Sequence, residues 1–308
     1  MNILITGGSG LVGSAVKEIS KNYNYNFIFL SSKDGDLRYY QDTYDIFSKY
    51  NPDYVIHLAA NVGGLYKNLK YRVEMLEDNI DINMNVLKCS HKFNVRKCIS
   101  LLSTCIFPDK VEYPINEDML HLGEPHNSNY PYAYAKRLLE IQSRVYREQY
   151  NSNFICLIPT NIYGPYDNYH LENSHVIPGL IHKCYLSKLH NKKFIIKGSG
   201  RPLRQFLYSI DLANIIMLSL ESNKNIQNLI VSPTEETSIK DISTLIYQHI
   251  NNKNELEFDK NSSDGQYKKT VDNTLLKSLF PDFKFTNINI GISKSIEWFL
   301  NNYNNIKK

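Results

Sequence analysis

The chain opens on an apolar run, Ile3–Thr6, that stops at glycine, and apolar positions at helical spacing follow over Leu11–Tyr23. Further apolar runs at Phe27–Leu30, Tyr54–Leu58, Lys97–Leu102 and Phe154–Ile158 read as strands buried on both faces. Between them, Lys67–His91 and Tyr132–Tyr150 carry long helical patterns. Strands alternating with helices in this way predict an α/β chain with a doubly wound parallel sheet. Right-handed crossovers then bring the strand carboxyl ends, and with them any ligand, to one edge. The alternation stops near Asn168. Residues 1–167 are therefore expected to form the sheet domain, and 168–308 mainly a smaller α/β lobe, some of whose segments return to the sheet. In that lobe Ser174–Lys188 and Asp211–Leu220 read as helices, and Asn301–Lys308 as a fraying tail.

Composition narrows the class. Apolar residues at 42% against 21% charged are enough to build a core and exclude wholesale disorder. Thirty-five basic against 31 acidic side chains leave +4, too mild and too scattered to imply nucleic acid. No apolar run approaches the ~18 residues of a membrane span, and no basic segment precedes an apolar one at the start. Five cysteines without a CxxC pair read as reduced thiols, with no zinc site or other metal centre, so a cytoplasmic location is expected.

The first turn, Gly7-Gly8-Ser9-Gly10-Leu11-Val12-Gly13, fits GxGxxG from Gly8 or GxxGxxG from Gly7. Glycines there let the backbone approach a pyrophosphate seated on the free N–H groups of the following helix, in the manner of a Rossmann-type domain. A glycine-rich turn without a ligand is the competing reading. Where an acid after the second strand would hold the ribose hydroxyls of NAD, this chain has Ser31-Ser32-Lys33, with Asp34 and Asp36 coming late. Hydroxyls and a cation suit a 2′-phosphate and favour NADP(H) over NAD; a solvated turn is the alternative. Tyr132 and Lys136 lie one helical turn apart on one face. A nearby ammonium lowers a phenol's pKa, so this tyrosine is expected to exchange a proton with a carbonyl oxygen near neutral pH. Upstream, Ser103 ends a strand where its hydroxyl could hold the same oxygen.

The glycine turn, the strand-end serine and YxxxK, in that order, resemble the extended short-chain dehydrogenase/reductase family, whose members act mostly on nucleotide sugars. His57-Leu-Ala-Ala60 and Tyr163-Gly-Pro165 fit the same family, with His57 read as a packed strand histidine. Cys105 departs from an ordinary reductase. It follows Ser103 by two residues, and a thiol can act as a base where its surroundings lower its pKa. Protons beside a keto group are acidic, and removing one from one face and returning it from the other inverts the carbon. That requires an acid–base pair across the ring, for which His175 is the partner candidate.

The resemblance narrows on Ser103-Thr-Cys-Ile-Phe-Pro108, Pro159-Thr-Asn-Ile-Tyr-Gly-Pro165, Ser174-His-Val-Ile-Pro178, Gly198-Ser-Gly-Arg-Pro-Leu-Arg-Gln-Phe206, Val62-Gly-Gly64 and Ser263-Asp-Gly-Gln-Tyr-Lys-Lys269. These are similar to the family branch that epimerises GDP-4-keto-6-deoxy-D-mannose at C3 and C5 and then reduces C4 with NADPH. The resemblance implies Ser103, Tyr132 and Lys136 as the reductase triad, and Cys105 and His175 as the epimerising pair. It implies an NADPH/NADP+ site on Gly7, Gly8, Ser9, Gly10, Leu11, Val12, Gly13, Ser32, Lys33, Asp36, Leu37, Leu58, Ala59, Ala60, Tyr132, Lys136, Pro159, Thr160, Asn161 and His175. Asn161 and Lys197 are expected to meet the substrate, Lys197 standing where some relatives have Trp. Lys183 and Arg204 are cations suited to a sugar-nucleotide diphosphate. Asp264 could accept from a sugar hydroxyl or merely close an Asp-Gly turn. Relatives pair through the two long helices, so a homodimer is expected. A related enzyme making another deoxyhexose, such as GDP-L-colitose, and a catalytically silent NADP-binding regulator remain the alternatives.

Overall fold

The computed structural model describes residues 1–262, 264 and 267–306, with Leu65 and Tyr66 described by their backbone alone. Strands and helices alternate as β1 (Asn2–Thr6), α1 (Leu11–Ile19), β2 (Asn26–Phe29), α2 (Tyr40–Tyr50), β3 (Tyr54–His57), α3 (Leu65–Lys70), α4 (Arg72–Lys92), β4 (Lys97–Leu101), α5 (Tyr130–Tyr150) and β5 (Phe154–Pro159). There follow β6 (Asn161–Tyr163), α6 (Val176–Leu189), β7 (Phe194–Lys197), β8 (Leu203–Arg204), β9 (Phe206–Tyr208), α7 (Ser209–Glu221) and β10 (Asn228–Val231). The chain closes with β11 (Thr237–Ser238), α8 (Ile239–His249), β12 (Leu256–Asp259), α9 (Thr274–Leu279) and α10 (Ile288–Asn302).

Six strands form one parallel sheet in the order β10-β5-β4-β3-β1-β2. Side chains alternate across a strand, so β1 serves two cores at once. Ile3 and Ile5 pack with α1 and α7, while Leu4 packs with Phe47 of α2, Val86 of α4 and Leu139 of α5. A third core joins Ile181 of α6, Phe194 of β7, Ile246 of α8 and Phe299 of α10 into the smaller lobe. The chain leaves the sheet after β5 and returns with α7 and β10, of which β10 pairs with β5.

Several boundaries differ from the sequence expectation. The helix expected over Lys67–His91 is two helices, because Tyr71 leaves helical geometry (φ −117, ψ 55) and its carbonyl accepts from Met75 N to open α4. The helix expected from Tyr132 begins at Tyr130, with Pro131 in its first turn, where a missing N–H costs nothing. The helix expected from Ser174 begins at Val176, which makes His175 its N-cap. Neither α2 nor β10 was expected. The tail expected to fray from Asn301 is instead helical to Asn302, and Tyr303 and Ile306 pack on the third core. Lys307 and Lys308 lie outside the described residues. Among the described residues no helix is long and apolar enough to cross a membrane.

Candidate active site

The glycine turn is built to bring a ligand against backbone. Gly7 adopts φ +67, and a Cβ there would meet Ala59 N at 2.9 Å. A Cβ on Gly13 would strike Gly7 O at 2.5 Å, so α1 closes directly onto the turn. Gly10 caps α1 without a side chain, no acidic residue stands in the first turn, and a Cβ on Gly10 would stand in otherwise open space. Uncapped first-turn N–H groups beside open space are what a pyrophosphate requires. Ser9 and Gly10 are exposed there, and Leu11 and Val12 are partly buried.

The carboxyl ends of β1 and β3 meet beside this cradle. Thr6 Oγ1 accepts from Leu58 N and Ala59 N at 3.1 Å each and bonds to His57 Nδ1 at 2.8 Å. The other ring nitrogen of His57 bonds to Asn83 Oδ1 at 3.0 Å. Burial and the nearby Lys136 push His57 down to about 3, so it is a neutral packed histidine, as its place in the strand suggested. Leu58, Ala59 and Ala60 thus line the turn on one side. After β2, Ser32 and Lys33 are exposed on a turn that Asp34 closes by accepting from Ser31 N and Oγ at 2.7 and 2.9 Å. Asp36 is held by Arg38 at 2.6 Å, and Arg38 also reaches Asp78 at 3.2 Å. Leu37 turns inward against the α2–α4 core.

At the end of β4 the chain makes a short 3-10 turn, Thr104–Ile106, capped by Ser103, whose Oγ accepts from Cys105 N at 3.4 Å. This turn packs against the start of α5, which carries Tyr132 and Lys136. Lys136 Nζ donates to Leu101 O at 2.7 Å and stands 5.8 Å from the Tyr132 ring centroid. The Cys105 thiol acts electrostatically on both Tyr132 and Lys136. Four of the five expected catalytic residues therefore converge.

The charges in this cluster differ from the sequence expectation. Tyr132 is raised, not lowered: burial disfavours the phenolate and the neighbouring thiol adds to it. Burial also brings Lys136 down to about 8, and its ammonium is committed to a carbonyl. Tyr132 is thereby held protonated. Burial likewise raises Cys105, with Lys269, Ser103 and Lys136 pulling it back.

His175 is exposed at the mouth of α6. Gly64 lies alongside it, where a Cβ would make ordinary contact with Asn173 O at 3.4 Å and Ser174 O at 3.6 Å. Among the described residues no hydrogen bond or ion pair links His175 to the other four. After β5, Thr160 N donates to Val231 O at 3.2 Å, while Asn161 Nδ2 donates to Gln205 O at 3.0 Å. Pro159, Thr160 and Asn161 are fixed by β10 and the strand following β8.

The lobe opposite supplies cations. Lys183 is partly buried on α6, and its ammonium is pushed down first by burial and then by Lys197 on β7. Arg204 donates to Leu203 O at 2.7 Å and Tyr267 O at 3.4 Å. Asp264 accepts from Ser199 N at 2.5 Å and Ser199 Oγ at 2.7 Å, closing the turn at Gly198 (φ +92). Ser263, Gly265 and Gln266 of the same motif lie outside the described residues. Lys269, of the same motif, was assigned no task from sequence; it is within electrostatic reach of Cys105 and Arg204, and burial pushes its ammonium down.

Residues 3–231 match the family described as "NAD dependent epimerase/dehydratase family". The GDP-L-fucose synthase of Dictyostelium discoideum is 52% identical over 99% of this chain and 97% of its own length. A GDP-L-colitose synthase of Yersinia pseudotuberculosis is 32% identical over 99% and 100%. A crystal structure of a GDP-L-fucose synthetase from Naegleria fowleri bound to NADP superposes with a TM-score of 0.94 at 42% identity, over 100% of this chain and 96% of that one. The chain belongs to the NAD dependent epimerase/dehydratase family, in the branch of the GDP-L-fucose synthases.

Proposed function

We propose that the protein converts GDP-4-keto-6-deoxy-D-mannose to GDP-L-fucose by epimerising C3 and C5 and reducing C4 with NADPH. The observation that carries this reading is the convergence of Ser103, Cys105, Tyr132 and Lys136 at the carboxyl end of β4. A reductase needs three of them. The thiol is the surplus group, and its place beside Ser103 and Tyr132 suits proton transfer at a carbon flanking the keto group.

In this reading Cys105 takes a proton from carbon, the electron pair delocalises onto the keto oxygen, and His175 returns a proton from the opposite face. Ser103 holds the keto oxygen. Tyr132 gives it a proton as C4 is reduced, and Lys136 orients the phenol and the cofactor's ribose. Bound NADPH supplies the hydride. The open cradle at Gly10 fits its pyrophosphate, and Ser32 and Lys33 suit a 2′-phosphate. The resemblance to the Naegleria structure bound to NADP supports the same choice. Arg204, Lys183 and Lys197 are assigned to the substrate's diphosphate, and Asn161 and Asp264 to its hydroxyls.

The product is GDP-L-fucose rather than GDP-L-colitose on the strength of 52% identity against 32%. Incubation with NADPH and GDP-4-keto-6-deoxy-D-mannose should yield GDP-L-fucose by NMR. Failure to consume NADPH would leave a silent binder.

We further propose a cytoplasmic homodimer. Tyr134, Leu138, Ile141 and Val145 form an exposed stripe along α5, and Val73 is 60% exposed at the start of α4, which packs beside α5. Unpaired cysteines suit a reducing compartment. Light scattering at micromolar concentration should give twice the chain mass.

A further inference from the structure

The stretch that carries Ser103 and Cys105 leaves the sheet between two cations of α5. Leu102 N donates to Leu157 O at 2.8 Å, and among the described residues this is the last backbone bond from the end of β4 to β5. From there the chain turns on itself. Cys105 N donates to Ser103 Oγ at 3.4 Å, Ile106 N to Ser103 O at 3.1 Å and Phe107 N to Thr104 O at 3.3 Å. These bonds shape the turn without fixing it to the helix beside it. Two consecutive residues of α5 do that. Lys136 Nζ donates to Leu101 O at 2.7 Å, ahead of Ser103, and Arg137 Nε donates to Ile106 O at 2.6 Å, directly after Cys105. Ser103 and Cys105 therefore lie between two charge-assisted bonds from the helix that also carries Tyr132.

Arg137 is a costly residue to use for this. It is 6% exposed, its guanidinium lies 5.6 Å from the Tyr134 ring centroid, and its Nη2 is buried with no hydrogen bond among the described residues. A buried guanidinium with an unsatisfied N–H group loses stability that an apolar side chain of similar reach would keep. What the arginine supplies is a donor of fixed direction, because the guanidinium is planar. Ile106 is fully buried, so water would not replace that donor. Packing of the Ile106 side chain in the core leaves its peptide free to tilt, and the bond from Arg137 sets the tilt. The two ties hold different things. Ser103 follows Leu102, which the sheet already fixes, whereas Cys105 adjoins Ile106.

We propose that Arg137 is a positioning residue of the epimerising step: by gripping Ile106 O it fixes the peptide that follows Cys105, and with it the direction from which the thiol meets the sugar ring. The inference rests on Cys105 being the epimerising base. The part of Arg137 is geometric, and it exchanges no proton. Proton abstraction from carbon is steep in distance and angle, so a displaced sulfur slows exchange at C3 and C5. Hydride transfer at C4 is assigned to Ser103, Tyr132 and Lys136, whose own ties remain, and is spared.

Two measurements on each variant test this. Backbone hydrogen exchange over residues 101–107, followed by mass spectrometry on the intact protein, reports the tie without turnover. Deuterium incorporation at C3 and C5 in D₂O, set against NADPH formed in a single turnover of GDP-L-fucose with NADP+, separates epimerisation from the hydride step. In Arg137→Met, backbone exchange over 101–107 should quicken. Deuterium incorporation should fall about tenfold or more, and the hydride step should change less than about threefold. Arg137→Lys, which keeps a cationic donor, should restore most of the incorporation. Arg147→Met is the control. Arg147 Nη1 donates to Phe154 O at 2.8 Å at the other end of α5, so its loss should lower the melting temperature and leave the ratio of the two rates unchanged. Unchanged backbone exchange over 101–107 in Arg137→Met, or incorporation and hydride transfer falling together, would overturn the proposal. If Arg137→Met fails to fold, Arg137→Gln must show the same shifts, and their absence there is equally decisive. Quickened backbone exchange in a protein whose parent incorporates no deuterium would leave the tie and sink the function.

Discussion

At the carboxyl edge of the central sheet, Ser103, Cys105, Tyr132 and Lys136 hang on β4 and α5, elements fixed by packing on a fully buried strand. Across the cleft, Lys183 sits on α6, but Arg204 sits on a two-residue ladder and Asp264 in a loop closed by its own bonds to Ser199. The first wall is positioned by buried area and the second by hydrogen bonds. On the proposed function, chemistry that needs atoms placed to a fraction of an ångström falls on the first wall, and charge recognition, which tolerates more play, on the second.

That division can be broken at either wall. The largest effect is expected at Tyr132. Tyr132→Phe keeps the ring and removes the proton donor, so reduction should fall ~10²-fold or more while NADPH still binds; single-turnover NADPH oxidation beside a binding titration checks this. Arg204→Ala should act on binding. Losing one charge-assisted hydrogen bond raises KM about 10- to 100-fold with kcat changed far less, a split read from steady-state kinetics. A comparable fall in kcat would move Arg204 to the catalytic wall.

Behind the first wall, His57 ties stability to pH. Its unfolded form takes a proton near pH 6.5, whereas the folded protein holds it neutral down to about 3. Between those values the unfolded chain binds the extra proton, so stability falls as pH drops through the window. The slope from this one residue approaches ~1.4 kcal/mol per pH unit. Urea unfolding from pH 7 to 4 should therefore show a shallower acid slope in His57→Gln than in the parent. The smallest effect is expected at Asp264. Asp264→Asn keeps an acceptor for Ser199 N, so KM for the substrate should rise only a few-fold, equivalent to ~1 kcal/mol.

The two walls also differ in how far residues alone reveal them. Five of the six sheet strands are apolar runs bounded by turn residues, and Tyr132 and Lys136 share a helix face by spacing alone. Helix and strand periods carry that information in short stretches of chain. β10 escapes because it lies in the second half, where the strand–helix alternation has lapsed, and pairs with β5 only through a distant return of the chain. The lowered phenol expected of Tyr132 was wrong for a related reason: the YxxxK spacing gives proximity to a cation, but burial, which outweighs it, belongs to the whole fold. On the second wall little is periodic. Lys269 escapes because a single lysine in an extended stretch carries no period, and its neighbourhood of Cys105 and Arg204 exists only in the folded chain.

On the proposed function, Cys105 moves protons at carbon while its neighbours serve hydride transfer. Cys105→Ser retains the size of the side chain and replaces the thiol with an alcohol far too weakly acidic to serve near pH 7. Run in D₂O with GDP-4-keto-6-deoxy-D-mannose and NADPH, the parent should incorporate deuterium at C3 and C5. In Cys105→Ser that incorporation should collapse with NADPH affinity intact, and any NADPH consumed should give the unepimerised 6-deoxyhexose. Deuterium entering both carbons of the variant as fast as in the parent would make Cys105 a packed thiol and contradict the account.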